Sequence, residues 1–405
     1  MSAERTRVAI VGAGPAGLLL SHLLAAADIE SIVLDSRERT DIETAVRAGI
    51  LEHGTVDVLA QTGASSRVTR EGVQHNGIEL RFEGVGHRID FATLAGRAVW
   101  LYPQHEVLKD LIAARLDAGQ DIRFGVAATS AEDDHDCARV HAVDADGAPV
   151  EFEADFVVGA DGSRSVVRPA VTGSQHAGHF REYPFAWFGI LCEAPPSAPE
   201  LIYSNSDVGF ALISQRSETV QRMYLQCDPD LDPVAMSDAA IWEQLQARVA
   251  PHVLIEGRIF QRDVLRFRSF VAGRLQRGRL AIVGDAAHTV PPTGAKGLNL
   301  AVADVLVLAV ALQELLRNGD AALIESYEKT VLPRIWKAQH FSWWMTSMLH
   351  RAPDATEFDR LRQLGELRSI AESEAGRRYL AEAYTGWPMP AIDPLYQCAS
   401  GSLTD

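Results

Sequence analysis

The sequence predicts a mixed α/β protein, in which a Rossmann-like dinucleotide domain is interrupted by an antiparallel-sheet domain and followed by a helical C-terminal part. Three observations carry that expectation. Val8-Ala9-Ile10-Val11 runs into Gly12-Ala13-Gly14-Pro15-Ala16-Gly17, a GxGxxG turn between an apolar strand and an apolar helix. From about Pro184 to Phe270 the texture changes to the alternation of half-buried strands. Beyond Ala301 the pattern is mostly helical.

The elements follow in order. Residues 7–11 read as a buried strand, 15–27 as a helix and 31–34 as a second strand ending at Asp35, which together make a βαβ unit. Residues 104–116 form an amphipathic helix, with Val107, Leu108, Leu111, Ile112 and Leu116 at helical spacing. Residues 152–158 form an apolar strand that runs into Gly159-Ala160-Asp161-Gly162. Alternation in 185–191, 209–214 and 222–227 gives the antiparallel sheet, with the Pro-rich segment 194–200 as a loop. Rossmann texture returns at 279–283, a strand ending in Gly284-Asp285. The expected division assigns 1–73, 98–180 and 269–345 to the dinucleotide domain. Segments 74–97 and 181–268 go to the sheet domain, and 346–405 to the helical part.

A length of 405 residues supports two or three domains. Apolar content of 47% and charged content of 23% are those of a soluble globular chain. The net charge of −16 argues against a general nucleic-acid binder, whose surface must neutralise phosphates. It leaves room for a small anionic substrate, because one local arginine can dominate a pocket. Cys137, Cys192, Cys227 and Cys398 are far apart and form no CxxC pair, so free thiols in a cytoplasmic setting are expected. The N-terminus lacks the layout of a signal peptide. The apolar run 301–316 is interrupted by Asp304 and reads as a buried helix, not a membrane span.

In the GxGxxG turn, Gly12 allows the tight bend, Gly14 lets backbone approach a pyrophosphate, and Gly17 permits close helix–strand packing. The helix N-terminus supplies N–H groups to the anion. Asp35, 23 residues after Gly12, is placed to bind a ribose diol. This motif alone leaves NAD and FAD open. Asp161 and Asp285 each follow a strand and can bind ribityl hydroxyls; singly, either reads equally as a turn or helix cap. Pro291-Pro292-Thr293-Gly294-Ala295-Lys296-Gly297 is a rigid loop before a long apolar helix. Its glycines allow backbone to lie against a flat ring. The helix start, with Lys296, suits negative charge on the pyrimidine side of a reduced flavin. The two motifs together point to FAD.

Longer matches sharpen the reading. Arg47-Ala48-Gly49-Ile50-Leu51-Glu52, Tyr183-Pro184-Phe185, Leu201-Ile202-Tyr203, Ser214-Gln215-Arg216-Ser217, Arg268-Ser269-Phe270 and Phe341-Ser342-Trp343-Trp344-Met345-Thr346-Ser347 resemble the 4-hydroxybenzoate 3-monooxygenase family of group A flavoprotein aromatic hydroxylases. The resemblance spans nearly the whole chain and weakens around 126–150 and at the extreme C-terminus. It implies a homodimer active in aromatic catabolism. NAD(P)H would reduce FAD, and O2 would then be used to hydroxylate 4-hydroxybenzoate to 3,4-dihydroxybenzoate. Arg216 would grip the carboxylate, which suits a bidentate guanidinium, with Ser214 and Tyr224 as further donors. Tyr203 and Tyr384 would carry the phenolic proton and His75 would pass it towards solvent, a task suited to a group titrating near neutrality. Pro292 would place its carbonyl near the phenolic oxygen. Flavin contacts carry over to Arg47, Gln104, Asp161, Asp285, Gly297, Leu298 and Asn299. Glu52 reads as structural support and His288 as packing beside the loop.

No second GxGxxG is present, so the nicotinamide would bind transiently on the surface. Arg37, Asp41, Arg47, Arg164 and Arg268 are the candidate contacts. In NADPH-specific relatives the segment after the second strand receives the 2′-phosphate. Here Asp41 and Glu43 oppose a phosphate, Ala45 stands where an arginine is usual, and Arg37 and Arg39 pull the other way. Use of NADH is therefore expected. Competing readings are a hydroxylase of 4-aminobenzoate or another substituted benzoate, an FAD-linked dehydrogenase, and a flavin-binding sensor.

Overall fold

A computed structural model of the chain describes residues 3–45, 49–134 and 136–391. In its first sheet, Glu4–Val11 pairs in parallel with Ser31–Asp35 on one side and Pro149–Gly159 on the other. Asp121–Phe124 and Leu280–Ile282 extend this parallel order outward. Both faces are covered, which is why these strands read as unbroken apolar runs and not as alternation. Val8, Ile10, Val33, Val157 and Val158 keep no accessible surface. Because the strands are parallel, their carboxyl ends lie along one edge, and Gly12, Asp35, Asp161 and Asp285 converge there. A hairpin of Ala127–Asp134 and Cys137–Val143 adds antiparallel strands beside Pro149–Gly159. It falls where the family resemblance weakens.

The second sheet runs in the order His288–Thr289, Arg258–Ala272, Gly178–Glu193, Val220–Cys227, Gly209–Gln215, Leu201–Ser206, Gly77–Phe82 and Val85–Asp90. The alternation read from sequence divides its residues between two cores. Phe188, Ile202, Ile213 and Met223 pack with the helix Asp238–Val249. Trp187, Tyr203, Leu212 and Tyr224 face the C-terminal helices Tyr327–Leu349, Glu357–Ala371 and Glu374–Thr385. Across that second face, Tyr203, Leu212, Tyr224 and Gly189 lie in one cross-strand row. A small third sheet sets Glu52 and His75 on either side of Val99.

The helix after the Pro-rich loop, Gly297–Gln313, continues as a π turn to Asn318 and is longer than the apolar run suggests. By length and composition it could cross a membrane, but 72% of its apolar window is buried in the protein. Its Asp304 pairs with His288 at 2.5 Å, both fully enclosed. His288 is therefore a core partner of this helix, as the sequence suggests.

Candidate active site

The convergent strand ends form a cradle for a dinucleotide. Gly12 adopts φ +110°, and a Cβ there would collide with the Ala160 carbonyl. A Cβ on Gly17 would strike the Gly12 carbonyl, whereas Gly14 has nothing nearer than 3.8 Å. Thus Gly12 and Gly17 close the turn and Gly14 leaves it open. The helix Pro15–Ala26 starts with no side-chain cap, so its first N–H groups face this opening. Asp35 accepts the Ala13 N–H at 2.8 Å and a two-pronged contact from Arg37 at 2.9 and 2.8 Å. Asp161 accepts the Val166 N–H at 2.7 Å through one oxygen, while the other is buried without a partner. Burial pushes this carboxyl upward. A buried acceptor lacking a donor costs stability unless something fills it, and the hydroxyls of a flavin nucleotide have the chemistry to do so. Asp285 sits exposed at the same edge, and Gln104 opens the helix Gln104–Asp117. Arg47 lies outside the described residues.

The Pro-rich loop is held in an unusual backbone. Pro292–Gly294 makes a 3-10 turn, and Ala295 follows at φ +52°, a conformation uncommon for a residue with a side chain. The Pro292 carbonyl accepts the Ala295 N–H at 3.0 Å. The next helix starts at Gly297 without a side-chain cap, leaving the Gly297 and Leu298 N–H groups for an anionic ring edge. The Asn299 side chain turns inward: it accepts the Glu52 N–H at 2.9 Å and donates to the Ile50 and Ala295 carbonyls. Lys296 is buried, donates to Glu52 at 2.5 Å and to the Tyr384 carbonyl at 3.2 Å, and lies over the rings of Phe341 and Trp387. Its charge is therefore compensated within the site, and Glu52 is the compensating carboxylate.

Replacing Lys296 by methionine is expected to strand Glu52 as a buried, unpaired charge and lower stability by about 3–5 kcal/mol. The double variant Lys296→Met/Glu52→Gln should recover most of that loss in urea unfolding of the flavin-free protein. If the single and double variants unfold alike, the pair has no such role.

Facing the loop is the row on the second sheet. The hydroxyls of Tyr203 and Tyr384 are 2.6 Å apart, and both side chains are buried. Burial holds both above the ordinary tyrosine range, so the pair is neutral and carries protons. Tyr224 lies on the same face, two strands from Tyr203, a backbone separation of roughly 10 Å. Arg216 follows the strand Gly209–Gln215. It is largely enclosed by protein yet keeps some accessible surface. No carboxylate among the described residues pairs with it, its Nε has no partner, and desolvation depresses it, opposed by the nearby Tyr224. Ser214 donates to the Arg222 carbonyl at 2.6 Å, so its one proton is committed there and it is not, in this arrangement, the donor to a carboxylate that the sequence suggests.

His75 is buried. Its Nε2 faces the Gln215 side-chain nitrogen at 3.1 Å, its Nδ1 has no partner, and burial keeps it neutral. The arrangement thus brings Tyr203 and Tyr384 together but hydrogen-bonds His75 to Gln215 and to neither tyrosine. Sequence reading missed Arg222, a second buried guanidinium 5.0 Å over the Tyr224 ring. One of its nitrogens binds Asp263 at 2.7 Å, and Nε and Nη1 have no partners. Its signal was its place two residues before Tyr224, hence on the same strand face.

On the surface, Arg164 and Arg268 are exposed; burial lowers the pKa of Arg168, and nearby Arg268 adds to that. Asp41 sits in the short helix Arg39–Thr44, where Arg39 pairs with Glu43 at 2.6 Å.

A glycine cradle at parallel strand ends and a strained loop at a helix start define a flavoprotein, with a buried cation on the facing sheet. Comparison with known proteins agrees. A family model for the FAD binding domain matches residues 5–342. The chain is 41% identical over 393 residues to p-hydroxybenzoate hydroxylase of Acinetobacter baylyi, covering 96% of this chain and 97% of that protein. A 3-(3-hydroxy-phenyl)propionate/3-hydroxycinnamic acid hydroxylase of Burkholderia cenocepacia is 28% identical over 345 residues, 80% of this chain and 60% of that one. The fold superposes on p-nitrophenol 4-monooxygenase PnpA from Pseudomonas putida DLL-E4 with a TM-score of 0.81 at 21% identity, covering 95% of this chain and 100% of that one. This chain belongs to the FAD-binding aromatic hydroxylases.

Proposed function

We propose that this protein is an FAD-dependent monooxygenase that hydroxylates 4-hydroxybenzoate at C3, consuming NAD(P)H and O2 and giving 3,4-dihydroxybenzoate. The carrying observation is Arg216, an enclosed guanidinium that no described carboxylate pairs with, beside Tyr224, which shares a sheet face with the Tyr203–Tyr384 hydroxyl pair. A benzoate fills both needs. Its carboxylate supplies the missing partner for Arg216 and Tyr224, and its phenol reaches the tyrosine pair. FAD, when bound, supplies the redox and oxygen chemistry. The chain supplies binding, orientation and proton movement. Tyr203 accepts the phenolic proton as its own passes to Tyr384, which makes the substrate ring more electron-rich; release of a proton from the pair toward His75, whose Nε2 is at Gln215, needs a bridging water. Pro292 presents its carbonyl to the phenolic end, and the buried walls exclude water. An aniline has no phenolic proton, so the tyrosine pair favours 4-hydroxybenzoate over 4-aminobenzoate. The protein would act as a cytoplasmic homodimer.

The electron donor follows from charge. Arg37 is held by Asp35 and Arg39 by Glu43, so neither is free to attract a 2′-phosphate, and Asp41 repels one. NADH should therefore match or exceed NADPH in kcat/KM; a tenfold advantage for NADPH in steady-state assays would refute this.

The reading is tested by anaerobic reduction of the yellow protein by NADH with and without 4-hydroxybenzoate, followed by product analysis in air. Acceleration by the benzoate and recovery of 3,4-dihydroxybenzoate are expected. Absence of acceleration with both NADH and NADPH would mean that the Arg216 pocket serves another substrate.

A further inference from the structure

Behind the Arg216 wall lies a buried histidine that the chemistry above does not use. His350 ends the helix Tyr327–Leu349 and keeps 3% of its surface. Its ring stacks on Phe185 with centroids 4.8 Å apart and planes 3° from parallel, and packs 4.2 Å from Phe210. Both nitrogens are committed. Nδ1–H donates to the Thr346 carbonyl at 2.9 Å, and Nε2 accepts the indole N–H of Trp187 at 2.6 Å. Burial pushes the imidazole down to about 3, so it stays a neutral acceptor throughout the working pH range.

Trp187 is the next link. Its ring lies 4.7 Å from that of Tyr224, which neighbours Arg216 and is flanked by the Arg222 guanidinium. Gly189, two residues beyond Trp187, leaves room for Tyr224: a Cβ there would sit 2.9 Å from the phenol ring. Tyr224 is therefore fixed by what surrounds its ring, and an indole held by one short hydrogen bond forms part of that wall. The helical turn that supplies the acceptor is itself anchored. The Thr346 hydroxyl lies 2.7 Å from the Ser342 carbonyl and 2.9 Å from the hydroxyl of Thr293, which follows Pro292 in the loop. One turn of helix thus touches the loop on one side and the carboxylate wall on the other.

We infer that His350 is a positioning residue for the substrate-carboxylate subsite: by accepting the Trp187 N–H it sets the indole against Tyr224, and through Tyr224 it fixes the aim of Arg216. A histidine serving only the core would stabilise the fold without favouring one ligand chemistry over another. A positioning residue affects carboxylate ligands more strongly, because only they form a charged, two-pronged pair with Arg216.

The inference rests on the proposed benzoate pocket, and its test separates the two. Dissociation constants for 4-hydroxybenzoate and for its uncharged amide, 4-hydroxybenzamide, are measured by flavin absorbance on the holoenzyme. The proteins are wild type, Trp187→Phe, His350→Leu and His350→Gln. Trp187→Phe keeps an aromatic ring while removing the N–H together with part of the indole, and it carries the test if His350→Leu does not fold. Both Trp187→Phe and His350→Leu should weaken 4-hydroxybenzoate about tenfold, with the amide changed much less. His350→Gln, which can both accept and donate, should restore part of the affinity. In the double variant Trp187→Phe/His350→Leu the losses should not multiply. Equal loss for acid and amide, or unchanged affinity in folded Trp187→Phe, overturns the positioning role alone. Failure of the wild type to bind 4-hydroxybenzoate overturns the substrate reading and this inference with it.

Discussion

Replacing Arg216 by glutamine should weaken 4-hydroxybenzoate binding by about a hundredfold or more and leave the substrate-free protein at least as stable as wild type. Both halves follow from one observation. The guanidinium is enclosed, its Nε lacks a partner, and no described carboxylate balances it. Truncating one side of a buried, hydrogen-bonded charge pair costs about 2–5 kcal/mol, and each factor of ten in affinity is about 1.4 kcal/mol. Without ligand the same charge is a burden, because burial disfavours the ionised form. Substrate should therefore raise the melting temperature of wild type by mass action and leave that of Arg216→Gln nearly unmoved. A variant that binds the benzoate normally would remove Arg216 from the pocket. One that melts much lower without ligand would show the arginine to be a fold determinant.

The second large effect belongs to Tyr384. Replacement by phenylalanine keeps the ring stacked 5.1 Å from Phe91 but removes the hydroxyl 2.6 Å from that of Tyr203. Substrate binding should change little, since the carboxylate anchor is untouched. Hydroxylation should slow by about a hundredfold or more, the usual worth of a positioned proton-transfer group, while NADH oxidation persists without product. The sign of the pH response is determined. Burial holds both tyrosines above their ordinary range, so in wild type they remain protonated carriers across neutral pH. In the variant the phenol must ionise without them, so product yield should recover as pH rises through the substrate's own phenolic pKa. The check is product formed per NADH consumed across that range; a flat profile, or full coupling at neutral pH, would exclude a role for the pair in phenol activation.

Local pattern made part of this site legible. The glycines at 12, 14 and 17 and the strand-end carboxylates Asp161 and Asp285 are short-range signals, and parallel pairing brings them to one edge. Alternation placed Tyr224 on a strand and the family motif singled out Tyr203, but only sheet order puts them on the same face two strands apart. What stayed hidden depends on long-range pairing. Glu52 and Lys296 meet across 244 positions, so Lys296 read as a free charge beside the flavin when it is a compensated one. His75 read as a tyrosine partner, yet its hydrogen bond goes to Gln215, because the small sheet with Val99 sets its direction. Trp187 and His350 are separated by 163 positions and look, in sequence, like ordinary core residues of a strand and a helix. Arg222 escaped notice because one arginine in an alternating strand looks like a surface residue until the opposite face is seen to be covered.

The central strand Glu4–Val11 is hydrogen-bonded to Pro149–Gly159, which in turn binds Leu280–Ile282. During synthesis the GxGxxG turn leaves the ribosome first, but its third wall is encoded about 270 residues later. The nucleotide domain thus starts to be translated before the sheet domain and closes after it. Contacts this distant along the chain are slow to form, and the intervening sheet must collapse in the meantime with its apolar Rossmann strands still unpaired, a stage at which exposed edges invite aggregation. Loading of FAD is then a late event in the life of the nascent chain, and chains cut short of the Gly284–Asn299 segment should emerge colourless however well their N-terminal glycine motif is made.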